Sequence, residues 1–355
     1  MRRAEDAGSP PVYARREGLV WICGGGRLQT SKDAPWCLFV TAVIVLAAPA
    51  LWLGWEARYL WTRVSPAIVI LAVYFWMNAV VCMFMAALRD PGIIPRGLDP
   101  CPEREAPTST APFHIEAPIA AAKDRVYEVA CVGRPEYAAV VSKWCETCRL
   151  YRPPRCSHCR ACDNCVDTLD HHCVFLNACI GRRNYSAFYA FLSHVLAMLF
   201  TGLAGSIVHL YWLAVPHTRT EQGGFLYALR TSPASVAFFW LAIVWTIPVL
   251  CLWTYHTWLL LQNRTTVEQI RLESTGHLYG MDRGADDCWD RNMVLQHCAA
   301  FAARMRALFV PADFAPPRTP ARKREAARGA HGYVPFQARG RWRNALHVLG
   351  RSMPP

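Results

Sequence analysis

The chain has 355 residues, of which 53 % are apolar, 12 % aromatic and only 18 % charged, a balance that argues against a soluble protein of this size and for a membrane protein. The formal net charge of +12 is lopsided, which suits an anionic partner: an acidic lipid surface, a phosphorylated substrate or, on charge alone, nucleic acid.

In chain order, a mostly polar arm (residues 1–35) with six basic residues comes first, so no cleavable signal peptide is expected ahead of the first apolar run. Two apolar runs follow in residues 36–88, from about Trp36 to Leu53 and from Pro66 to Leu88. Residues 89–140 are rich in Pro, Ala and charge without a clean period, which predicts a linker with a short strand near Val126 to Val132. Residues 141–185 form a separate cysteine-rich segment. Residues 186–261 hold two further apolar runs, Ala187 to Val215 and Ala234 to Leu261, with Pro248 expected to kink the last and Gly202 and Gly205 expected to permit close helix packing. Residues 262–355 end in a basic tail, read as solvated, with contact to anionic lipid through its charge, Trp342 and Leu346 as the sharper alternative.

Each apolar run is close to or above the roughly 20 residues that cross a bilayer. The expected fold is therefore an all-α membrane protein with four transmembrane helices and a small cysteine-rich domain between the second and third. Lys and Arg number 6 in the arm, 2 in the first loop, 13 in the central stretch, 2 in the loop between the third and fourth runs, and 15 in the tail. That asymmetry puts both termini and the central stretch in the cytoplasm. The cysteines there meet a reducing compartment, which favours metal binding or thiol chemistry over disulfides. His194, His209 and His256 fall in or near the apolar runs and are read as helix–helix hydrogen-bonding groups.

The central segment reads "CETCRLYRPPRCSHCRACDNCVDTLDHHCVFLNAC" and holds eight cysteines and three histidines in 35 residues. The Cys145/Cys148, Cys159/Cys162 and Cys162/Cys165 pairs have the spacing of tetrahedral zinc sites. So few apolar residues cannot form a core unaided, so metal must supply much of the folding energy. Two closed sites use eight ligands, so three of the eleven candidates are left over. Asp170, His171 and Cys173 then supply a thiol, a base and an orienting carboxylate within four residues. Spacing alone does not say which of the adjacent histidines goes to metal and which to the thiol.

The segment resembles the cysteine-rich domain of the DHHC family of protein S-acyltransferases. "DHHC" at Asp170 to Cys173 is the family's name motif, "DPG" at Asp90 to Gly92 and "TTVE" at Thr265 to Glu268 occupy the expected places, and "RPPRCSHC" and "RRNY" look most like the fungal branch that acylates Ras-type GTPases. The resemblance implies one zinc on Cys145, Cys148, His158 and Cys165 and a second on Cys159, Cys162, His172 and Cys179. It implies Cys173 as the nucleophile, His171 as its base, Asp170 as the group that orients the base, and Phe188 and Phe191 as lining for the acyl chain. Cys156 has no family role and is expected to pack.

It implies further a long-chain acyl-CoA co-substrate, cytoplasmic protein substrates with cysteines near membrane anchors, surrounding membrane lipids, a small accessory subunit, and an endoplasmic reticulum or Golgi location. Arg149, Arg152, Arg155, Arg182 and Arg183 are expected to meet CoA phosphates or lipid headgroups. The chain departs from the family at Phe175, where tryptophan is usual, and at Ala178, where asparagine is usual. It departs again in "MDRGADDCWDRN", which keeps Asp282 and Gly284 but puts Met281 in an aromatic place and Asn292 late. The rival to the enzyme is a membrane-anchored zinc adaptor or ubiquitin ligase in which every Cys and His is structural. A nucleic-acid-binding zinc knuckle fits the charge but not the four spans, so no nucleic-acid partner is expected.

Overall fold

The computed structural model describes residues 18–98, 124–130, 137–215, 223–275, 277–278, 281–282, 344–345 and 348–349. Among the described residues, four helices are long and apolar enough to cross a membrane, as expected. The first, α1 (Pro35–Tyr59), starts on a proline whose missing N–H costs nothing there, and continues through a π-turn over Leu60–Val64. The second, α2 (Pro66–Leu88), has Ser65 as its cap, the side chain accepting from Ala67 N–H at 3.2 Å. The third and fourth are α3 (Tyr185–Ala214) and α5 (Pro233–Gln262), with the short α4 (Phe225–Thr231) between them. The outward faces carry large apolar groups such as Phe39, 70 % exposed, and Trp240, 59 % exposed, as lipid-facing surfaces do.

The bundle is tied by polar groups as well as by packing. Trp52 donates to Ser206 Oγ at 3.2 Å, and Ser206 donates to the buried Glu56 at 2.9 Å, joining α1 to α3. His209 bonds Ser235 at 2.9 Å, joining α3 to α5. Of the two glycines expected to permit close approach, Gly205 does so: a Cβ there would meet the Trp52 ring at 2.6 Å. Gly202 has open space around it. Pro248 lies inside α5.

Between α2 and α3 the chain forms short antiparallel hairpins instead of helices. Strand β3 (Asp124–Ala130), over the stretch expected to hold a strand, pairs with β4 (Tyr137–Cys145), whose end pairs with β5 (Leu150–Tyr151). Then come β6 (Ser157–Cys159) with β7 (Asn164–Val166), and β8 (His171–Cys173) with β9 (Ala178–Ile180). These hairpins are two or three residues long on each side beyond β4, too short to stand without further bracing.

The N-terminal arm adds a hairpin that composition did not announce. Its strands β1 (Val20–Cys23) and β2 (Leu28–Ser31) pair from Val20–Ser31 to Cys23–Leu28 across a Gly24–Gly26 turn. Val20 and Ile22 pack with Ile93, Cys159, Cys162, Val166, Leu169 and Cys179. The hairpin is locked to the cysteine-rich domain by Leu19 N–H to Cys162 O at 2.9 Å and by the fully buried Asn177. That side chain donates to Ser31 O at 2.6 Å and accepts from Ala34 N–H at 3.0 Å.

A large buried apolar cluster sits where the helices meet this domain. It joins Met83, Ala86 and Ala87 of α2, Leu176 and Ile180 of the hairpins, Tyr185, Phe188 and Leu192 of α3, and Leu260 of α5. Asn184 seals the junction: its amide donates to Ala86 O at 2.8 Å and Cys179 O at 2.9 Å, and its oxygen accepts from Gly181 N–H. The domain is thereby fixed to the ends of α2 and α3. Trp342, Leu346 and most of the basic tail, the residues Gly284 and Asn292, and the linker from 99 to 123 lie outside the described residues.

Candidate active site and metal centres

The hairpins bring the cysteines and histidines together in two groups. Cys145, Cys148, His158 and Cys165 form one, and Cys159, Cys162, His172 and Cys179 the other, with the donor atoms of each group within 4.8 Å of one another. In the first, His158 Nδ1 lies 3.6, 3.4 and 3.8 Å from the sulfurs of Cys145, Cys148 and Cys165. In the second, His172 Nδ1 lies 3.8, 3.4 and 3.7 Å from those of Cys159, Cys162 and Cys179. A tetrahedral zinc with Zn–S of about 2.3 Å and Zn–N of about 2.0 Å places N and S about 3.6 Å apart, so both groups fit that ion.

His158 Nε2 lies 3.4 Å from the Asp163 carboxylate, the way a metal-bound imidazole is usually oriented, whereas His172 Nε2 is 3.8 Å from Asp33, beyond hydrogen-bond reach. Neighbouring thiols pull Cys145 and Cys159 below the ordinary thiol range and push Cys148 and Cys165 above it. Thiols this close cannot all ionise unless a cation lies among them. Both groups could hold zinc, and each offers four protein donors, leaving no open position for chemistry. Cys156 belongs to neither group and is buried against Cys145, Cys148, Leu150 and Cys165.

The motifs flanking the segment are the straps that hold it. Asp90 accepts from Gly92 N–H and Ile93 N–H, both at 2.9 Å, and its other oxygen pairs with Arg183. Gly92 has φ +107°, a conformation that favours glycine, and its carbonyl accepts from Asp167 N–H at 2.9 Å. The stretch that follows is stitched to the first metal group through Ile94 N–H to Cys165 O and Gly97 N–H to Cys148 O, both at 2.9 Å.

On the other side, Thr265 and Glu268 form a capping box at the start of α6 (Thr266–Thr275): Thr265 N–H donates to Glu268 at 2.9 Å and Glu268 N–H to Thr265 Oγ1 at 3.2 Å. Glu268 also takes a bidentate bond from Arg155, at 2.7 and 2.8 Å, with both side chains buried. Arg155 reaches Asn263 as well. It is therefore not available to phosphates, which corrects the expectation for that residue. Arg182 pairs with Asp167 at 3.0 Å but stays half exposed, and Arg149 is exposed. Asn344, buried, donates to Leu261 O at the end of α5 at 3.0 Å.

Cys173, His171 and Asp170 stand apart from both metal groups, on or beside β8. The fully buried Asp170 accepts from His171 Nδ1–H at 2.6 Å, from Thr266 Oγ1 at 2.8 Å and from Thr266 N–H at 2.9 Å. Burial works against the charged carboxylate, yet these bonds, the His171 bond foremost, hold its pKa below the ordinary value. Burial likewise opposes an imidazolium at His171. The bonds to Asp170 and to the Cys173 thiol outweigh it and raise the pKa to about 10. With Nδ1 committed to Asp170, Nε2 is the nitrogen left for Cys173. A thiol hydrogen-bonded to an oriented imidazole is an activated nucleophile.

Phe188 is 2 % exposed and packs against His171 with ring centroids 5.1 Å apart. Phe191, half-buried, packs against the same junction core as Cys173. The role of Thr266 is not visible in the sequence, because a threonine 96 residues from Asp170 carries no spacing signal.

A family model described as DHHC palmitoyltransferase matches residues 140–273. Palmitoyltransferase erf2 of Schizosaccharomyces pombe is 36 % identical over 279 residues, which cover 75 % of this chain and 73 % of that protein. Palmitoyltransferase erf2 of Emericella nidulans is 36 % identical over 256 residues, covering 71 % of this chain and 40 % of that protein. Palmitoyltransferase ZDHHC14 of Mus musculus is 32 % identical over 279 residues, covering 73 % and 52 %. The chain thus spans about half or less of the length of these last two relatives. With its metal groups, its Asp-His-Cys set and its four spans arranged in this order, the chain belongs to the DHHC palmitoyltransferase family.

Proposed function

We propose that the chain is a protein S-acyltransferase that moves a long-chain acyl group from acyl-CoA to protein cysteines through an acyl-Cys173 intermediate. The observation that carries this is the Asp170–His171–Cys173 set: a thiol with an oriented base, outside both metal groups and packed at the head of α3. In the first step the Cys173 proton rests on His171, whose raised pKa favours the imidazolium, the thiolate attacks the thioester carbon, and CoA leaves as a thiolate that takes that proton. In the second, an acceptor cysteine gives its proton to His171, attacks the Cys173 thioester and releases the Cys173 thiolate, which is reprotonated. Asp170 keeps the imidazole in the tautomer that serves both steps.

In this scheme Cys145, Cys148, His158 and Cys165 hold one zinc, and Cys159, Cys162, His172 and Cys179 the other. Both ions act as braces that fix the strand carrying His171 and Cys173. Phe188 and Phe191 receive the acyl chain as it runs from Cys173 along α3. The site faces the cytoplasm of an endomembrane, endoplasmic reticulum or Golgi. The acceptors are proteins whose cysteines lie beside a membrane anchor, Ras-like GTPases among them, as for the fungal branch the sequence resembles. A small accessory subunit and the surrounding lipids complete the set of partners.

A direct test offers the purified, detergent-solubilised chain a labelled palmitoyl-CoA and a prenylated peptide with an adjacent cysteine. The expected result is release of CoA together with a hydroxylamine-sensitive label on the peptide. Label retained wholly in CoA would overturn the proposal.

A further inference from the structure

We propose that His256, on the membrane-spanning helix α5, is a positioning residue for acylation: held by Tyr185, it walls in the His171 imidazole so that the free nitrogen faces Cys173. The inference rests on the acyltransferase reading for its main readout but not for its geometry.

His171 is anchored in its own plane, from Nδ1 to Asp170 and on its other side to the Cys173 thiol. Bonds in the plane fix the edges of a ring and leave it free to tilt about the line that joins them. What limits the tilt is packing on the faces, and two rings supply it from two different helices. Phe188 of α3 stands edge-on at 5.1 Å and 68°, and His256 of α5 lies at 5.7 Å and 41°. His256 is itself fixed. It is 2 % exposed, Phe188 meets it at 4.9 Å and 78°, and the Tyr185 hydroxyl bonds its Nδ1 at 3.1 Å. Phe188 of α3 and His256 of α5 thus wall in the base from two helices, and Tyr185 holds His256 in place.

Histidine suits this position better than a plain aromatic would. Its ring nitrogen accepts or donates to the buried Tyr185 hydroxyl, which phenylalanine would strand. It also presents a polar edge within 4.8 Å of both Asp170 and His171. The same three residues have the donor types of a metal site. However, the Asp170 oxygens are already engaged by His171 Nδ1–H, Thr266 N–H and Thr266 Oγ1, and the His256 Nδ1 by Tyr185. The hydrogen bonds account for the cluster without an ion. The helix–helix hydrogen bond expected of His256 is present, to Tyr185 of α3, and the same ring also packs against His171.

The test uses the full chain and three variants, His256→Phe, His256→Gln and Tyr185→Phe, each checked for two zinc ions by metal analysis. His256→Phe is expected to keep both ions and the KM for palmitoyl-CoA, while its single-turnover acylation rate falls about 10- to 100-fold, the size of effect that a misplaced catalytic group produces. His256→Gln, whose amide can still meet the Tyr185 hydroxyl, should recover much of the rate, and Tyr185→Phe should add little on top of His256→Phe. Alkylation of Cys173 by iodoacetamide, mapped by mass spectrometry, should slow in the same order. That second readout separates the two ideas: if the wild-type chain takes no acyl group but the alkylation order holds, the transferase reading fails and the positioning role stands. Wild-type acylation and alkylation rates in His256→Phe would overturn it. So would a third zinc bound by the wild-type chain and lost in His256→Phe, or loss of both zinc ions in His256→Phe together with an unrescued rate in His256→Gln.

Discussion

His171→Ala is expected to slow formation of the acyl adduct by about 10²–10⁴-fold, the usual worth of a positioned general base, while both zinc ions stay bound. His172→Ala is expected to do the reverse in kind: one ion is lost and the domain loosens, with activity falling as a consequence. The two residues are neighbours on β8, and a strand sends successive side chains to opposite sides. His172 therefore turns its Nδ1 to Cys159, Cys162 and Cys179, while His171 turns to Asp170 and Cys173. Zinc content by metal analysis, read beside the single-turnover rate, separates the pair. If His171→Ala released zinc and His172→Ala kept it, the roles assigned here would have to be exchanged.

Glu268→Ala is expected to cost about 3–5 kcal/mol of stability, because it strands the Arg155 guanidinium in a site from which water is excluded. The pair is bidentate, both side chains are 5 % exposed or less, and Glu268 also accepts from Thr265 N–H at the start of α6. Loosening that turn also loosens Thr266, whose N–H and hydroxyl hold Asp170. The variant should therefore lose acylation rate as well as stability. Replacing both partners, Arg155→Met with Glu268→Met, should be less damaging than Glu268→Ala, since no charge is then left unpaired. Unfolding followed in mixed micelles, with metal analysis alongside, measures both. A Glu268→Ala chain within about 1 kcal/mol of wild type would mean the pair is solvated rather than buried.

The spans were legible because about 20 consecutive apolar residues have few other uses. The run Pro66–Leu88 matches α2 end to end. α1 continues to Tyr59, past the point where apolarity fades at Glu56 and Arg58, because Glu56 finds Ser206 inside the bundle. The CxxC spacing marked the segment as metal-binding, but the two interleaved ligand sets were implied only by the family resemblance, and one spaced pair, Cys162 and Cys165, is divided between the groups. The N-terminal hairpin could have been found in "VWICGGGRLQTS", where two short β-prone runs flank three glycines. Its polar surroundings hid it. What sequence spacing could not reveal is the frame around the base. Thr266, His256 and Tyr185 come from three helices, and the residue separations of 96 between Thr266 and Asp170 and 71 between Tyr185 and His256 obey no short-range rule. The same holds for Arg155, which looked like a surface cation among other basic residues until Glu268, 113 residues later, was seen to close over it.

The most direct test of the central claim is to locate the thioester. Wild-type chain is incubated briefly with palmitoyl-CoA, digested under conditions that preserve thioesters, and mapped by mass spectrometry beside Cys173→Ala of equal zinc content. Palmitate is predicted on Cys173 of the wild-type chain, removable by hydroxylamine, with no adduct forming in the active site of the variant, which still holds two zinc ions. Full-rate palmitoylation of Cys173→Ala, or loss of zinc from it, would contradict the assignment of Cys173 as a free nucleophile set apart from the metal.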